Sequence, residues 1–378
     1  AEVERIARRL GAPVVSTMPA RDLLGAEHPL WAGAIGSGGH GVALDVLSGA
    51  DVLLVLGSSA RSAVFGVFDR LSIVQVDLEA VQLGRRSPNT LGLAGTIRET
   101  TRALLDRLGE GEGAPEARAY LESMRGRFAR WWKAFLDRSW KDREPIPPGA
   151  ICAHLRGALA KTGQRAVVAV DVGTTTTWIY RYLMGEHDVI WSATFATMGF
   201  AVPSAIALAD AEPGRPVVAI AGDGGIAITL AELATAVARG LPIVAVVFNN
   251  GKLAAIRFEQ WLYGWPEYES YLYNCDFAGF ARACGAHGIR VTKASQLAAA
   301  FDEALSAGRP CLVDVVCDPH DLMIKPPKSH PRQIAGVLLS WSKYAVLRTR
   351  QFLAGRKTHI PTRYGDDDVR SPVGAGRE

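Results

Sequence analysis

Residues 217–253 read VVAIAGDGGIAITLAELATAVARGLPIVAVVFNNGKL. Two apolar runs, 217–221 and 243–248, are short, rich in Val and Ile and bounded by Gly or Pro, the pattern of buried strands. The spacing between them predicts a helix from about Ala227 to Arg239, stopped by Gly240 and Pro242. Strand, glycine turn, helix, strand is a βαβ unit, and it commits this stretch to a parallel sheet. Parallel strands would bring Asp223 and Asn250 to one carboxyl edge, where α/β proteins bind ligands. Gly222, Gly224 and Gly225 would let the backbone come close to such a ligand. An anionic oxygen beside a neutral one suits a hard cation such as Mg2+, which commonly shares its coordination shell with phosphates. The residues alone therefore point to a site for Mg2+ and a diphosphate.

The rest of the chain sets bounds on that site. At 378 residues there is room for two or three domains, and 48% apolar with 21% charged residues is the balance of a globular protein. A net charge of +4 is too modest to imply a nucleic acid partner, and no apolar run approaches the ~20 residues of a membrane span. Cys152, Cys275, Cys284, Cys311 and Cys317 are odd in number and form no CxxC, which suits packing cysteines in a reducing cytoplasm. Ala1 lies in what reads as an amphipathic helix, Glu2 to Leu10, so this sequence is expected to be the later part of a longer protein.

Along the chain the pattern is α/β, with two doubly wound parallel-sheet domains expected, joined by a helical linker and followed by a carboxyl-terminal helical tail. Residues 1–110 alternate strands and helices, with strand-end turns at Gly57-Ser58-Ser59 and at Asp77, and a glycine-dense GAIGSGGHG at 33–41. Residues 111–148 form a linker whose helix carries Phe128, Trp131, Trp132, Phe135 and Trp140, read as a stripe lying on a neighbouring domain. Residues 149–324 contain the opening stretch, and before it a strand ending in Asp171-Val172-Gly173-Thr174, whose free amides could receive a phosphate. Residues 325–378 hold a basic helix-length pattern, Ile334 to Phe352, then a polar end expected to be disordered.

Gly222-Asp223-Gly224, twenty-four further residues, then Asn249-Asn250 resembles the thiamin diphosphate signature. The resemblance extends to GADVLLVLGSSARSAVFG and IVQVDLEAVQLG, similar to the middle domain of pyruvate oxidases and acetolactate synthases, and to GIRVTKASQLAAAFDEAL and PCLVDVVCD near the end of the cofactor domain. It implies metal ligation by Asp223, Asn250 and the carbonyl of Lys252, and diphosphate binding through Gly173, Thr174 and the residues Gly222 to Gly225. Thr194 to Pro203 matches the segment under the aminopyrimidine, with Met198 as the wedge that bends the cofactor and Ala196 where Gly is usual. Leu253 would border the cofactor, and Glu259 would face a 2-oxo acid substrate, as in pyruvate oxidase-type enzymes. The same resemblance implies FAD at Gly57, Ser58, Ser59, Arg61 and Asp77, an activating Glu from a separate amino-terminal domain, and a dimer or tetramer of identical chains. The tail resembles that of quinone-dependent pyruvate dehydrogenase, which implies peripheral contact with the inner membrane face through residues 331–357 of an otherwise cytoplasmic protein. The expected activity is decarboxylation of pyruvate or a related 2-oxo acid, oxidative in type. The alternatives are an acetolactate synthase-type carboligase, or a cofactor-binding subunit whose partner chain supplies the Glu.

Overall fold

The computed structural model describes residues 2–25, 28–36, 39–59, 71–85, 87–139, 143–183, 185–262 and 267–321. Two compact units are formed, one of Ala1–Ala255 with Tyr271–Pro327, the other of Ile256–Ser270 with Lys328–Glu378. The first unit opens with α1 (Glu2–Leu10), β1 (Val14–Ser16), β2 (Trp31–Ala34), α2 (Gly41–Ser48), β3 (Val52–Leu56), β4 (Ser72–Asp77), β5 (Thr90–Ala94) and α3 (Ile97–Leu108). Acidic residues in the first turn of α1 and basic ones in its last complement the helix dipole, and Ile6 and Ala7 are its buried face. Thr96 caps α3 by accepting the Glu99 N–H at 3.2 Å. All strands here are parallel, β1 with β2 and β3-β4-β5 in order.

Helix α4 (Pro115–Ser139) follows. Phe128, Trp131, Trp132 and Phe135 of the expected stripe lie on it, while Trp140 lies outside the described residues. Phe128 and Trp131 stand within 6 Å of the His40 ring, and Phe135 packs at a tilt against Tyr182 at 4.7 Å. His40 is 3% exposed, and burial, aided by the Arg181 charge, drives its pKa down to about 3.

The remaining elements of this unit are α5 (Pro148–Lys161), β6 (Val167–Val170), α6 (Thr174–Tyr182), β7 (Asp188–Trp191), α7 (Ala201–Ala211), β8 (Val217–Gly222), α8 (Asp223–Thr229), α9 (Leu233–Ala238), β9 (Ile243–Asn249), then α11 (Phe277–Ala283), β10 (His287–Val291), α12 (Leu297–Ser306) and β11 (Cys311–Val316), while α10 (Ala254–Leu262) leads into the second unit. Six parallel strands form one sheet in the order β10-β11-β9-β8-β6-β7. Strand alternation sorts the core. Val218, Ile220, Val244, Val246 and Phe248 face α5, α6 and α12. Ala219, Ala221, Ala245 and Val247 face α7, α8, α9 and α11. One face carries the bulk, and the alanines of the other let its helices sit close.

The crossover of residues 217–253 is present, with one correction. Asp223, Gly224 and Gly225 are not a turn before the helix but its first residues, and the predicted helix is two short helices parted by a 3-10 turn at Leu230–Glu232. Two early glycines cost about 1 kcal/mol each, which an anionic Asp at the helix start and a buried Ile226 offset. Cys152, Cys311 and Cys317 are buried and unbridged, while Cys275 is exposed. The tail from residue 322, including 331–357, lies outside the described residues. Among those described, no helix is long and apolar enough to cross a membrane.

Candidate functional site

The strand order reverses beside β6. The chain leaves β6 for β7 on one side and returns to β8 on the other. The crevice outside the carboxyl ends of two such strands is where open α/β sheets take ligands. Asp171 follows β6 and Asp223 follows β8, and both are buried to within 1%.

Asp223 is held by four N–H groups. Its Oδ2 accepts from the Asn250 amide at 3.0 Å, the Gly251 amide at 2.6 Å and Asn274 Nδ2 at 2.9 Å. Its Oδ1 accepts from the Gly224 amide at 2.9 Å. Burial pushes this carboxyl up, and the four donors, Asn274 foremost, pull it back toward the charged form. Asn250 Oδ1 accepts the Lys252 amide at 3.0 Å, closing a turn through Gly251 at φ +68°. That φ suits glycine, and it closes the Asn250 carboxamide and the Lys252 backbone into one turn, which the Asn250 and Gly251 amides fasten to Asp223. The Lys252 ammonium does not enter this turn but lies over the Tyr271 ring at 4.3 Å.

Asp171 ties the other strand end to the segment after β7. Its two oxygens accept from Val172, Phe200 and Gly199 amides at 3.0–3.2 Å. Burial raises its carboxyl as well, against those same amides. Gly225 is the only residue type that fits beside it, since a Cβ there would stand 2.0 Å from Asp171 Oδ2. The turn that Asp171 holds carries Met198, whose Cε would meet a Gly224 Cβ at 3.3 Å, as would Leu253 at 2.8 Å and Leu272 at 3.1 Å. Met198, Leu253 and Leu272 thus converge on the bare backbone of Gly224. Ala196 sits at φ +51°, the left-handed conformation that favours glycine. Gly173, at φ +135°, precedes α6, and no side chain caps that helix at its start.

Sequence reasoning missed the outer ring of this site. Asn274 Nδ2 also donates to Asn249 Oδ1 at 2.7 Å, Asn249 Nδ2 to Asp314 Oδ1 at 2.8 Å, and Arg290 Nη1 to Asp314 Oδ2 at 2.9 Å. Asp314 is wholly buried and its carboxyl is pushed up by that burial, opposed by Asn249 and the Arg290 charge. The available signal was a charged residue inside the apolar run CLVDVV.

At the three-stranded edge, Gly57, Ser58, Ser59 and Asp77 do follow their strands. Gly57 has φ +62°, the Ser58 carbonyl accepts from Gln75 Nε2 at 3.2 Å, and Asp77 Oδ1 accepts the Glu79 amide at 3.0 Å. Arg61 lies outside the described residues. Glu259 is exposed on α10 in the second unit, where Arg257 pairs with Glu267 at 3.0 Å. A cavity of about 350 Å3 opens along α4, lined by Trp31, His40, Phe128, Trp132 and Arg181 among others, and none of the Asp223 or Asp171 groups contributes to it.

Two family profiles match the chain. The thiamine pyrophosphate enzyme central domain covers residues 1–104, and the thiamine pyrophosphate enzyme C-terminal TPP binding domain covers residues 171–315. The thiamine pyrophosphate-containing protein YdaP of Bacillus subtilis is 34% identical over 364 residues, 96% of this chain and 60% of the relative. A sulfoacetaldehyde acetyltransferase of Alcaligenes xylosoxydans xylosoxydans is 29% identical over 352 residues, 84% of this chain and 58% of the relative. A pyruvate oxidase of Lactiplantibacillus plantarum is 30% identical over 322 residues, 83% of this chain and 52% of the relative. The chain thus spans little more than half the length of these relatives.

Proposed function

The chain belongs to the thiamine pyrophosphate enzymes, with that family's central and TPP-binding domains, and we propose that it serves Mg2+-dependent decarboxylation of pyruvate or a related small 2-oxo acid, oxidative as in pyruvate oxidase. The observation that carries the reading is the set of oxygens at the β6/β8 switch. Asp223 Oδ1 stands at the start of α8, and the turn after β9 that carries Asn250 and the Lys252 carbonyl is tied to Asp223 Oδ2 by the Asn250 and Gly251 amides. Among the described residues no cluster of three or more His, Cys, Asp or Glu competes as a metal site. One carboxylate with two neutral oxygens is the donor set of a hard cation that completes its shell with phosphate and water. A buried carboxylate with a raised pKa is also a group that a divalent cation would stabilise. The residues therefore fit Mg2+ and a diphosphate.

In this reading Asp223, Asn250 and the Lys252 carbonyl hold the cation. Gly222, Gly224 and Gly225 keep side chains out of the diphosphate's way, and the open amides at Gly173 and Thr174 face it. Met198, with Leu253 and Leu272, forms an apolar wedge above Gly224 that would fix the ring orientation, and Ala196 and its turn carry that wedge. Thiamin diphosphate, when bound, supplies an acidic thiazolium carbon and an electron sink for the decarboxylation. The chain supplies position and a dry floor. Glu259 is assigned to the substrate side of the reaction on the resemblance alone.

The flavin reading of the three-stranded edge rests on the resemblance, and Arg61 lies outside the described residues. Asp77 is turned onto its own loop and the Ser58 carbonyl onto Gln75. Identical chains are proposed to pair over the apolar groups that flank the site, Phe195 and Tyr273, each 87% exposed. The test is calorimetry. Thiamin diphosphate is expected to bind in the presence of Mg2+ and not after chelation, and binding that ignores Mg2+ would sink the assignment. With pyruvate and an artificial electron acceptor, acetate with reduced acceptor supports the oxidative reading, whereas acetolactate overturns it.

A further inference from the structure

The polar chain behind Asp223 has a direction. Arg290 can only donate, and it meets Asp314 Oδ2 at 2.9 Å. A carboxylate can only accept, so Asp314 Oδ1 requires the amino side of the Asn249 carboxamide, which it meets at 2.8 Å. Asn249 must then show its oxygen to Asn274, and Asn274 must answer with its amino group at 2.7 Å. The second N–H of that same amino group points at Asp223 Oδ2, 2.9 Å away. Each link leaves the next only one orientation.

We infer that Asn274 and Asp314 are positioning residues for the cation: Asp314 sets two carboxamides in series, and Asn274 thereby fastens Oδ2 of Asp223 to the protein and leaves Oδ1 to the metal. With Asn274 in place Oδ2 carries three N–H groups and Oδ1 one, so the carboxylate has one oxygen with room for a ligand. Asp314 acts at a distance, through two side chains. In Asp314→Asn a single carbonyl would face two donors, Arg290 and Asn249. Satisfying Arg290 turns Asn249 round, and Asn274 would then present its oxygen to the Asp223 carboxylate. The inference rests on the proposed Mg2+ site.

The test is a double-mutant cycle on the full chain, read as Mg2+ affinity by calorimetry with thiamin diphosphate present. Asn274→Ala and Asp314→Asn are each expected to weaken Mg2+ binding about 10- to 100-fold, the usual effect of removing a group that orients a metal ligand. The double variant is expected to be no weaker than the weaker single one, because both changes break one chain. Two losses that multiply would mark independent damage and overturn the inference, as would affinities within about twofold of wild type. If Asp314→Asn melts below the assay temperature, Asn249→Ala, which removes the middle link of the same chain, replaces it in the cycle. A wild-type chain that takes up no Mg2+ overturns the proposed function together with this inference. Wild-type uptake with unchanged variants overturns this inference alone.

Discussion

At the carboxyl edge of the six-stranded sheet, Asp171 and Asp223 are buried to within 1% and accept three and four N–H bonds. At the carboxyl edge of the three-stranded sheet, Asp77 is half-buried and accepts one, from its own turn. Both aspartates of the first edge and Asp77 end or follow a parallel strand, so backbone architecture does not separate them. Environment does. A carboxylate withdrawn from water costs several kcal/mol unless donors surround it, and among the described residues Asp171 and Asp223 have such donors where Asp77 has the Glu79 amide. The larger edge holds its carboxylates in fixed positions, and at the smaller edge Asp77 keeps contact with solvent.

The comparison breaks most directly at the aspartates. Asp223→Ala is expected to abolish Mg2+-dependent binding of thiamin diphosphate, a loss beyond 100-fold, since it removes the one anionic ligand. Asp77→Ala should leave that binding within about twofold. Calorimetry on both variants checks the pair, and a comparable loss from Asp77→Ala would erase the distinction between the edges.

Gly225→Ala tests the packing of the larger edge. Its Cβ would lie 2.0 Å from Asp171 Oδ2, a group fixed by two amides across the site. Displacing it would unmake those bonds, so a loss of about 3 kcal/mol in denaturant unfolding is expected. A loss below about 1 kcal/mol would show that Asp171 is free to move.

The central region keeps its own stability elsewhere, in the aromatic core around His40. That ring is neutral in the fold, with a pKa near 3 against an ordinary value of 6.5. Between those values the unfolded chain binds the extra proton, so stability falls as pH falls through 6.5 and continues to fall toward 3. From pH 6.5 to 4.5 this one group is expected to cost about 2 kcal/mol, and His40→Gln should flatten that part of the profile. An unchanged slope in the variant would place the acid sensitivity in other groups.

How far these differences could be read beforehand depends on which forces are local. Strands such as β8 and β9 were legible because runs such as VVAIA and IVAVVF admit few other structures. Asp223 and Asn250 were singled out by the strand-end pattern and its spacing, and Met198 by the family resemblance. The start of α8 was not, because glycines signal a turn until a buried Ile226 and the dipole outweigh them. Asn274 was not, because its partners lie 51 and 25 residues away and meet it only after β8 and β9 have paired. The route by which Asp314 touches the site exists only in the register that sets β11 beside β9.

Gly57→Ala sharpens the comparison at its weakest effect. Gly57 has φ +62° and a Cβ there would stand 2.5 Å from Ile97 Cδ1. The conformation costs an L-residue about 1 kcal/mol, but the obstructing atom is the tip of a flexible side chain that is 39% exposed. Ile97 can turn away into solvent, whereas Asp171 cannot turn away from its amides. Gly57→Ala should therefore cost about 1–2 kcal/mol, less than Gly225→Ala although both place a methyl group inside contact distance. The order of the two losses, measured in one denaturant series, is the informative quantity. Equal losses would mean that the three-stranded edge is held as tightly as the site, and that its half-buried aspartate understates its rigidity.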